Sequence, residues 1–255
     1  MINNKVCVVT GSSSGIGAAT VELFATNGWH VAINYSRNEA PAQQVASACR
    51  AKGVEVLVHR ADVAIDQDCR ELAAAVEKRW GRCDALVNNA GTTRFVEPNN
   101  LDGLSAEDFL KIYQVNVIGP FQMTRAFAPL MRLNPGAGIV NVSSIASMLG
   151  RGSSIAYAAS KGGLNTLTVS LARTLGPEIR VNAVAPGMID SSWLREGLGV
   201  DRFNAQSQNY AAKAALSDLI QPQEVAEAIF WLAAGASKTT GEIMTVDSGF
   251  KIGKI

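Results

Sequence analysis

Short apolar runs alternate with longer helical patterns along the chain, and this alternation restricts the possible folds most. The runs typical of strands are Val6–Thr10, Val31–Asn34, Val54–His59, Ala85–Asn88, Gly138–Val142, Arg180–Ala185 and Ile243–Val246. The intervening helical patterns are Gly15–Asn27, Pro41–Lys52, Gln67–Trp80, Ala106–Leu133, Ala156–Leu175 and Pro222–Ala233. Near-continuous apolar strands separated by helices are typical of a parallel sheet that is covered on both faces. The sequence therefore predicts an α/β fold, a doubly wound parallel seven-stranded sheet with helices on both faces.

The chain lacks any internal repeat or long Pro/Gly-rich linker, so we predict a single domain over residues 1–255. Its least regular region is Asp190–Lys213, which mixes Trp193, Phe203 and Tyr210 with polar residues. Two interpretations stay open for this segment. It is either a mobile cover over a substrate, at about 190–213, or an ordinary pair of surface helices.

Composition excludes several classes of function. A net charge of +1 gives no electrostatic reason to expect nucleic acid or a membrane surface as a partner. The chain has no apolar run of about 18 residues and does not begin with a signal-peptide pattern. Its four cysteines are scattered and it has only two histidines, so we predict no metal site. These features favour a cytoplasmic protein.

A glycine-rich turn follows the first predicted strand. Gly11 permits a tight turn, Gly15 allows close approach of a ligand, and Gly17 allows the next helix to pack on the strand. Strand, glycine turn and helix together form a cradle for pyrophosphate. The predicted contacts are Gly11, Ser12, Ser13, Ser14, Gly15, Ile16 and Gly17. The absence of a GKS/T ending disfavours ATP. The alternative is a plain strand-to-helix turn, but three glycines at this junction favour a dinucleotide and a Rossmann-like fold.

The end of the second strand indicates which dinucleotide binds. The residues there are Asn34, Tyr35, Ser36 and Arg37, and no acid appears before Glu39. A carboxylate at this place suits the ribose hydroxyl of NAD, whereas Arg and hydroxyl groups suit a 2′-phosphate. We therefore expect NADP(H) to be favoured over NAD(H), although Arg37 could equally be a solvated loop residue.

Tyr157 and Lys161 lie four residues apart in YAASK, thirteen residues after Ser144. In a helix, positions i and i+4 share a face. Tyrosine has a reference pKa of about 10, and a nearby Lys⁺ stabilises its phenolate. The pair predicts acid–base chemistry on a carbonyl or an alcohol. The alternative is that Tyr and Lys simply share a face of an ordinary helix.

These motifs together resemble the classical short-chain dehydrogenase/reductase family over nearly the whole chain. The matching segments are TGSSSGIG (Thr10–Gly17), NNAG (Asn88–Gly91), YQVNVIG around Asn116, NVSSIAS around Ser144, YAASK (Tyr157–Lys161), PGMI (Pro186–Ile189) and TGEIMTVDSG (Thr240–Gly249). Ser14 departs from the pattern, because many NADP-preferring members have Arg or Lys there.

The resemblance implies a role for each matching position. Tyr157 acts as general acid or base, Lys161 lowers its pKa and holds the nicotinamide ribose, Ser144 binds the substrate oxygen, and Asn116 orders a water. The further cofactor contacts that it implies are Asp62, Val63, Asn89, Ala90, Gly91, Pro186, Gly187 and Ile189. It also implies a homotetramer formed through the long helices Ala106–Leu133 and Ala156–Leu175 and the last strand.

Three functions remain open. The first is NADP(H)-dependent hydride transfer to or from a small carbonyl or secondary alcohol, in the manner of 3-oxoacyl carrier-protein reductases. An acidic carrier needs a basic landing patch. The loops Asn134–Gly138 and Gly176–Glu178 offer no Lys or Arg, but Arg132, Arg151, Arg195 and Arg202 could supply the positive charge instead. The second is an NAD-dependent polyol or sugar dehydrogenase. The third is a catalytically silent dinucleotide-binding regulatory protein, which the complete set of predicted catalytic residues disfavours.

Overall fold

The computed structural model describes residues 5–254, so residues 1–4 and 255 of the predicted domain lie outside the described residues. Seven parallel strands form one sheet in the order β3-β2-β1-β4-β5-β6-β7. The strands are β1 (Val6–Val9), β2 (His30–Tyr35), β3 (Val56–Arg60), β4 (Ala85–Asn88), β5 (Ala137–Val142), β6 (Ile179–Pro186) and β7 (Ile243–Val246). The seven-stranded doubly wound fold is confirmed.

Helices connect the strands. They are α1 (Gly15–Thr26), α2 (Glu39–Arg50), α3 (Asp66–Trp80), α4 (Ala106–Tyr113), α5 (Gly119–Arg132), α6 (Ala146–Leu149), α7 (Ile155–Leu175), α8 (Ser192–Leu198), α9 (Val200–Lys213) and α10 (Pro222–Phe230). No helix within residues 5–254 is both long enough and apolar enough to cross a bilayer.

Side chains of β1 alternate between two apolar cores, one on each face of the sheet. Cys7 and Val9 pack with residues of α1, α2 and α10, among them Phe24. Val6 and Val8 pack on the other face with residues of α3, α5 and α7. Every residue of β1 is buried because both faces are covered, which explains why the strand is apolar throughout.

The strand order reverses between β1 and β4. The connections after these two strands leave in opposite directions, and in doubly wound sheets a ligand crevice opens at this place. Hydrogen bonds join the two strand ends: Thr10 N donates to Val87 O at 3.0 Å, and Asn89 N donates to Thr10 Oγ1 at 3.0 Å. The glycine turn and the NNAG segment are therefore neighbours.

One element differs from the sequence-based expectation. The stretch predicted as one helix over Ala106–Leu133 contains a π-helical turn at Gln114–Ile118, so α4 and α5 are separate segments. Periodicity could not predict this difference, because a π turn inserts a single residue into an otherwise helical pattern.

The region Asp190–Lys213, for which a cover and a pair of surface helices were both open, contains the two helices α8 and α9.

Candidate active site

The glycine turn between β1 and α1 needs glycine at two positions for different reasons. Gly15 has φ +54°, a left-handed conformation that side chains rarely adopt, and the space beside its Cα is open. At Gly17, a Cβ would lie 2.5 Å from Gly11 O and 2.6 Å from Asn89 Nδ2. The turn thus brings its backbone to the cleft surface while α1 packs directly against it.

Asn34 at the end of β2 fixes the position of this turn. Its Oδ1 accepts from Gly11 N at 3.0 Å, and its Nδ2 donates to Ala61 O at 2.9 Å. Ser12 is fully buried; its Oγ donates to Val9 O at 2.7 Å and accepts from Asn34 N at 3.0 Å. Both polar side chains form hydrogen bonds within the protein, and these bonds hold the turn in its shape.

Tyr157 and Lys161 lie on the first turns of α7. The Ser154 hydroxyl caps this helix by accepting from Tyr157 N at 3.1 Å. Lys161 Nζ lies 5.6 Å from the centroid of the Tyr157 ring and donates to Val142 O at 2.7 Å. The ammonium has three donors, so two are left for a ligand.

Burial dominates the electrostatics of this pair. It raises the pKa of Tyr157 to about 12, and the hydrogen bond with Ser144 opposes that rise. Burial also lowers the pKa of Lys161 to about 8. The net direction for Tyr157 is opposite to the lowering that the sequence led us to expect, because removal of the phenolate from water outweighs the stabilising contacts. At neutral pH the site therefore holds a protonated phenol beside a mostly charged ammonium.

Ser143 and Ser144 follow β5, and the structure distinguishes them. Ser144 Oγ accepts from Ala146 N at 3.1 Å, and the Ser144 side chain lies close enough to the Tyr157 hydroxyl to oppose the rise in its pKa. Ser143 Oγ instead donates to Asn165 Oδ1 at 2.6 Å. Ser144, the serine that the family resemblance implied, is therefore the one that lies beside the phenol.

Asn116 lies in the π-helical turn and is fully buried. Its Oδ1 accepts from Thr92 N at 2.8 Å, and its Nδ2 donates to Thr92 O at 2.9 Å and to Ser160 Oγ at 3.0 Å. The amide thereby joins the loop after β4 to α7. A Cβ at Gly91 would lie 3.5 Å from Asn116 Oδ1 and 3.7 Å from Lys161 Nζ, so these two groups flank the same small space.

A single cleft of about 1110 Å³ runs along the carboxyl ends of the strands. Of the residues predicted to form the site, those that line it are Gly11, Ser13, Ser14, Gly15, Ile16, Asn34, Ser36, Arg37, Asp62, Val63, Asn89, Ala90, Gly91, Ser144, Tyr157, Lys161, Pro186, Gly187 and Ile189. The structure does not bring four others to its surface, namely Ser12, Gly17, Tyr35 and Asn116. Ser12, Gly17 and Asn116 lie behind the wall, and the Tyr35 hydroxyl lies beside Glu39.

The opposite wall contains residues that were not among the predicted catalytic or cofactor-binding residues. Phe95 of the loop after β4 packs on Trp193 of α8 with ring centroids 5.5 Å apart, and Trp193 lies 6.5 Å from the Tyr157 ring. Arg202 of α9 forms an ion pair with Glu97. The helix pair α8–α9 is therefore a wall of the cleft. The only sequence signal for this wall was the concentration of aromatic residues in Asp190–Lys213.

Comparisons with known proteins agree with this geometry. The family model described as Enoyl-(Acyl carrier protein) reductase matches residues 11–251. A protein named as ketoacyl reductase 2 of the granaticin polyketide synthase of Streptomyces violaceoruber is 39% identical over 96% of this chain and 95% of its own. The 3-oxoacyl-[acyl-carrier-protein] reductase of Thermotoga maritima is 35% identical over 98% of this chain and 99% of its own.

A solved structure gives the same result. A Burkholderia xenovorans protein described as a short-chain dehydrogenase/reductase superimposes with a TM-score of 0.91 and 44% identity, covering 99% of this chain and 100% of that one. The resemblance of the sequence motifs is confirmed. The chain belongs to the classical short-chain dehydrogenase/reductase family and is an NAD(P)-dependent oxidoreductase acting on CH–OH or C=O groups.

Proposed function

We propose that this protein transfers a hydride between NADP(H) and a small carbonyl or secondary alcohol substrate within one domain, with Tyr157 as the proton donor or acceptor. One observation carries the proposal. The cleft that begins at the glycine turn and Arg37 continues to Ser144, Tyr157 and Lys161 without interruption. A dinucleotide laid along the cleft would extend from one group to the other.

The residues present fit such a cofactor. Gly15 leaves open space at the N-terminus of α1, where backbone N–H groups and the helix dipole favour phosphate. Two N–H groups of Lys161 Nζ remain beside Tyr157 and can donate hydrogen bonds to ribose hydroxyl groups. Asp62 and Val63, Asn89–Gly91 and Pro186–Ile189 would contact the cofactor along the remaining length. When bound, the nicotinamide supplies or takes the hydride.

Side chains of this protein transfer the proton and bind the substrate oxygen. In the reducing direction, the phenol of Tyr157 donates its proton to the oxygen that gains charge, and the Ser144 hydroxyl holds that oxygen by a hydrogen bond. The Lys161 ammonium stabilises the phenolate left behind. Asn116 acts as a positioning residue, because its amide ties Thr92 to α7 beside Lys161. In the oxidising direction the same phenolate accepts the proton.

The direct test is turnover. We expect the purified protein to oxidise NADPH in the presence of ketones or 3-oxoacyl N-acetylcysteamine thioesters and to form the alcohol in equal amount, measured by absorbance and chromatography. A protein that binds NADPH tightly but reduces none of these carbonyls, and oxidises no polyol or secondary alcohol, would be a silent dinucleotide-binding module instead.

Arg37 should determine cofactor preference. It is exposed, it lines the cleft next to Ser36, and it forms no ion pair with an acid among residues 5–254. We expect Arg37→Ala to raise the Kd for NADPH about tenfold or more, as the loss of a charge-assisted contact to a 2′-phosphate implies. The Kd for NADH should change less than about twofold, since NADH has no group for Arg37 to bind.

Fluorescence titration of both cofactors measures this difference. Arg50→Ala is the matched control, because Arg50 is an exposed arginine at the C-terminus of α2 and does not line the cleft. Equal losses of NADPH and NADH affinity in Arg37→Ala would show that Arg37 does not recognise the 2′-phosphate.

The same proposal extends to assembly and location, namely a cytoplasmic homotetramer. The helices α4, α5 and α7 and the turn between the first two expose large apolar side chains, which are Leu110, Ile118, Phe121 and Val169. Neighbouring exposed apolar residues of this kind are typical of subunit interfaces. No nucleic acid or membrane partner is included in the proposal.

A further inference from the structure

A second depression adjoins the substrate end of the cleft. It has a volume of about 380 Å³ and shares Leu149, Arg151, Lys213 and Phe250 with the cleft. The residues that line it are Leu149, Arg151, Ala212, Lys213, Phe250, Lys251, Gly253 and Lys254. All four charged residues in this set are cationic. Within residues 5–254, the lining contains no carboxylate.

Packing holds these cations at the rim of the depression. The Arg151 guanidinium lies 5.5 Å from the centroid of the Phe250 ring, and that ring stacks on Tyr210 at 4.3 Å and 7°. The Tyr210 hydroxyl donates to Asp247 O at 2.6 Å. The Arg151 guanidinium therefore packs on two stacked rings, which a hydrogen bond fixes to Asp247 directly after β7.

The lysines after β7 are also placed by hydrogen bonds. Lys251 N donates to Asp247 Oδ2 at 2.8 Å, which fixes the turn, and Lys254 Nζ donates to Ser217 Oγ at 2.8 Å. Among residues 5–254, none of the four cations forms an ion pair with a carboxylate. Their charge is therefore available to a ligand.

The positive charge continues into the cleft. The lining of the cleft next to the depression includes Arg151 and Lys213, and farther along it Glu97 is paired with Arg202. A cleft lined by one sign of charge concentrates ligands of the other sign. Arg37, which faces the opposite end near β2, is separate from this group.

We propose that this cationic depression binds a phosphate on the arm of an acyl-thioester substrate whose carbonyl is reduced beside Tyr157. The inference rests on the proposed function and names its substrate class. Lys and Arg bind phosphate through charge-assisted hydrogen bonds, and Leu149 and Phe250 offer apolar surface to the arm between carbonyl and phosphate. Coenzyme A and the phosphopantetheine group of a carrier protein share this chemistry.

The test compares one 3-oxobutyryl group on coenzyme A and on neutral N-acetylcysteamine. The variant is Lys251→Glu/Lys254→Glu, because these two lysines line only the depression. We expect KM for the coenzyme A thioester to rise about tenfold, the equivalent of about 1.4 kcal/mol, with little change in kcat. The neutral thioester reports whether catalysis is intact, and its KM should change less than about twofold.

Arg50→Glu/Lys78→Glu is the matched control. It makes the same change in net charge at exposed residues on α2 and α3, where neither residue lines the cleft or the depression. A rise in KM in this control equal to that of the variant would overturn the proposal, since it would reflect net charge alone. An unchanged KM for the coenzyme A thioester in the variant would overturn it as well.

Direct binding separates this proposal from the proposed function. Calorimetric titration with coenzyme A should give weaker binding in the variant than in the wild type, even if no thioester is reduced. Equal affinities, or no binding to the wild type, would contradict a phosphate site.

The same 3-oxobutyryl group on a carrier protein identifies the source of the phosphate. If KM is lower for the carrier-bound thioester than for the coenzyme A thioester, and the variant loses this difference, the natural substrate is bound to a carrier protein. If KM is lower for the coenzyme A thioester, the phosphate is that of coenzyme A.

Discussion

Tyr157→Phe should lower the turnover of carbonyl substrates by about 10²–10⁴-fold, the usual contribution of a general acid. Phenylalanine keeps the ring that packs near Trp193 and removes only the hydroxyl, which lies beside Ser144. The Kd for NADPH should change less than about twofold, because the Lys161 donors and the glycine turn are untouched. Steady-state rates and fluorescence titration of the same preparation measure the two quantities.

Tyr113→Phe is the control for this substitution. Tyr113 ends α4 and does not line the cleft, so loss of its hydroxyl should leave turnover near the wild-type value. Comparable activity of Tyr157→Phe and wild type would remove Tyr157 from the proposed role. A parallel loss of NADPH affinity would mean that the phenol holds the cofactor.

The pH profile of the wild type reports on Lys161, the partner of Tyr157. Because the pKa of Tyr157 is raised to about 12, the phenol stays protonated throughout the neutral range. Lys161, with a pKa of about 8, loses its charge as the pH rises through that value. The rate of reduction should therefore be highest on the acid side of neutrality and decline as the pH rises through about 8, since a neutral amine stabilises the phenolate less well.

The sheet and the chemical centre could be predicted because their signals are local. A buried parallel strand requires an apolar run, the turn before α1 requires glycine, and two helical residues four apart share a face. Ser144 is different, because its role came from the resemblance to the family; the structure places its side chain next to Tyr157. The other inferences need no knowledge of how distant segments meet.

The roles of Ser12 and Asn116 could not be predicted in the same way. Each lies within a segment that was assigned correctly to the site, but its side chain bonds to another part of the protein instead of lining the cleft. A pattern locates a residue on an element, whereas hydrogen bonds across elements determine which face it presents. Residues that are adjacent in sequence can therefore present their side chains to opposite sides of the cleft wall.

The cationic depression shows the same limit more clearly. The loops Asn134–Gly138 and Gly176–Glu178 contain no Lys or Arg, and of the four cations in the depression the sequence pointed only to Arg151 as a residue that could compensate. The cations instead come from three distant places, the loop after α6, the end of α9 and the segment after β7. No single segment is strongly basic, so only the tertiary structure reveals the cluster.

Gly17→Ala should disrupt the cofactor site more than any other single methyl group added to the turn. The new Cβ would lie 2.5 Å from Gly11 O, 2.6 Å from Asn89 Nδ2 and 2.8 Å from Ser12 Cα. Two of these three neighbours are backbone atoms, so relief requires α1 to move away from the turn. Overpacking of this kind costs about 1–3 kcal/mol of the free energy of unfolding.

The shift should also weaken NADPH binding, because it displaces the N–H groups of the turn relative to Arg37 and Lys161. We expect the Kd to rise about tenfold or more, together with a lower midpoint of urea unfolding. Gly162→Ala is the control: Gly162 lies within α7, has no heavy atom within 4 Å of its would-be Cβ, and should unfold no earlier than the wild type. If Gly17→Ala retained both its stability and its NADPH affinity, the close contact of α1 with the turn would not be what shapes the cradle, and the binding of pyrophosphate at this junction would need another explanation.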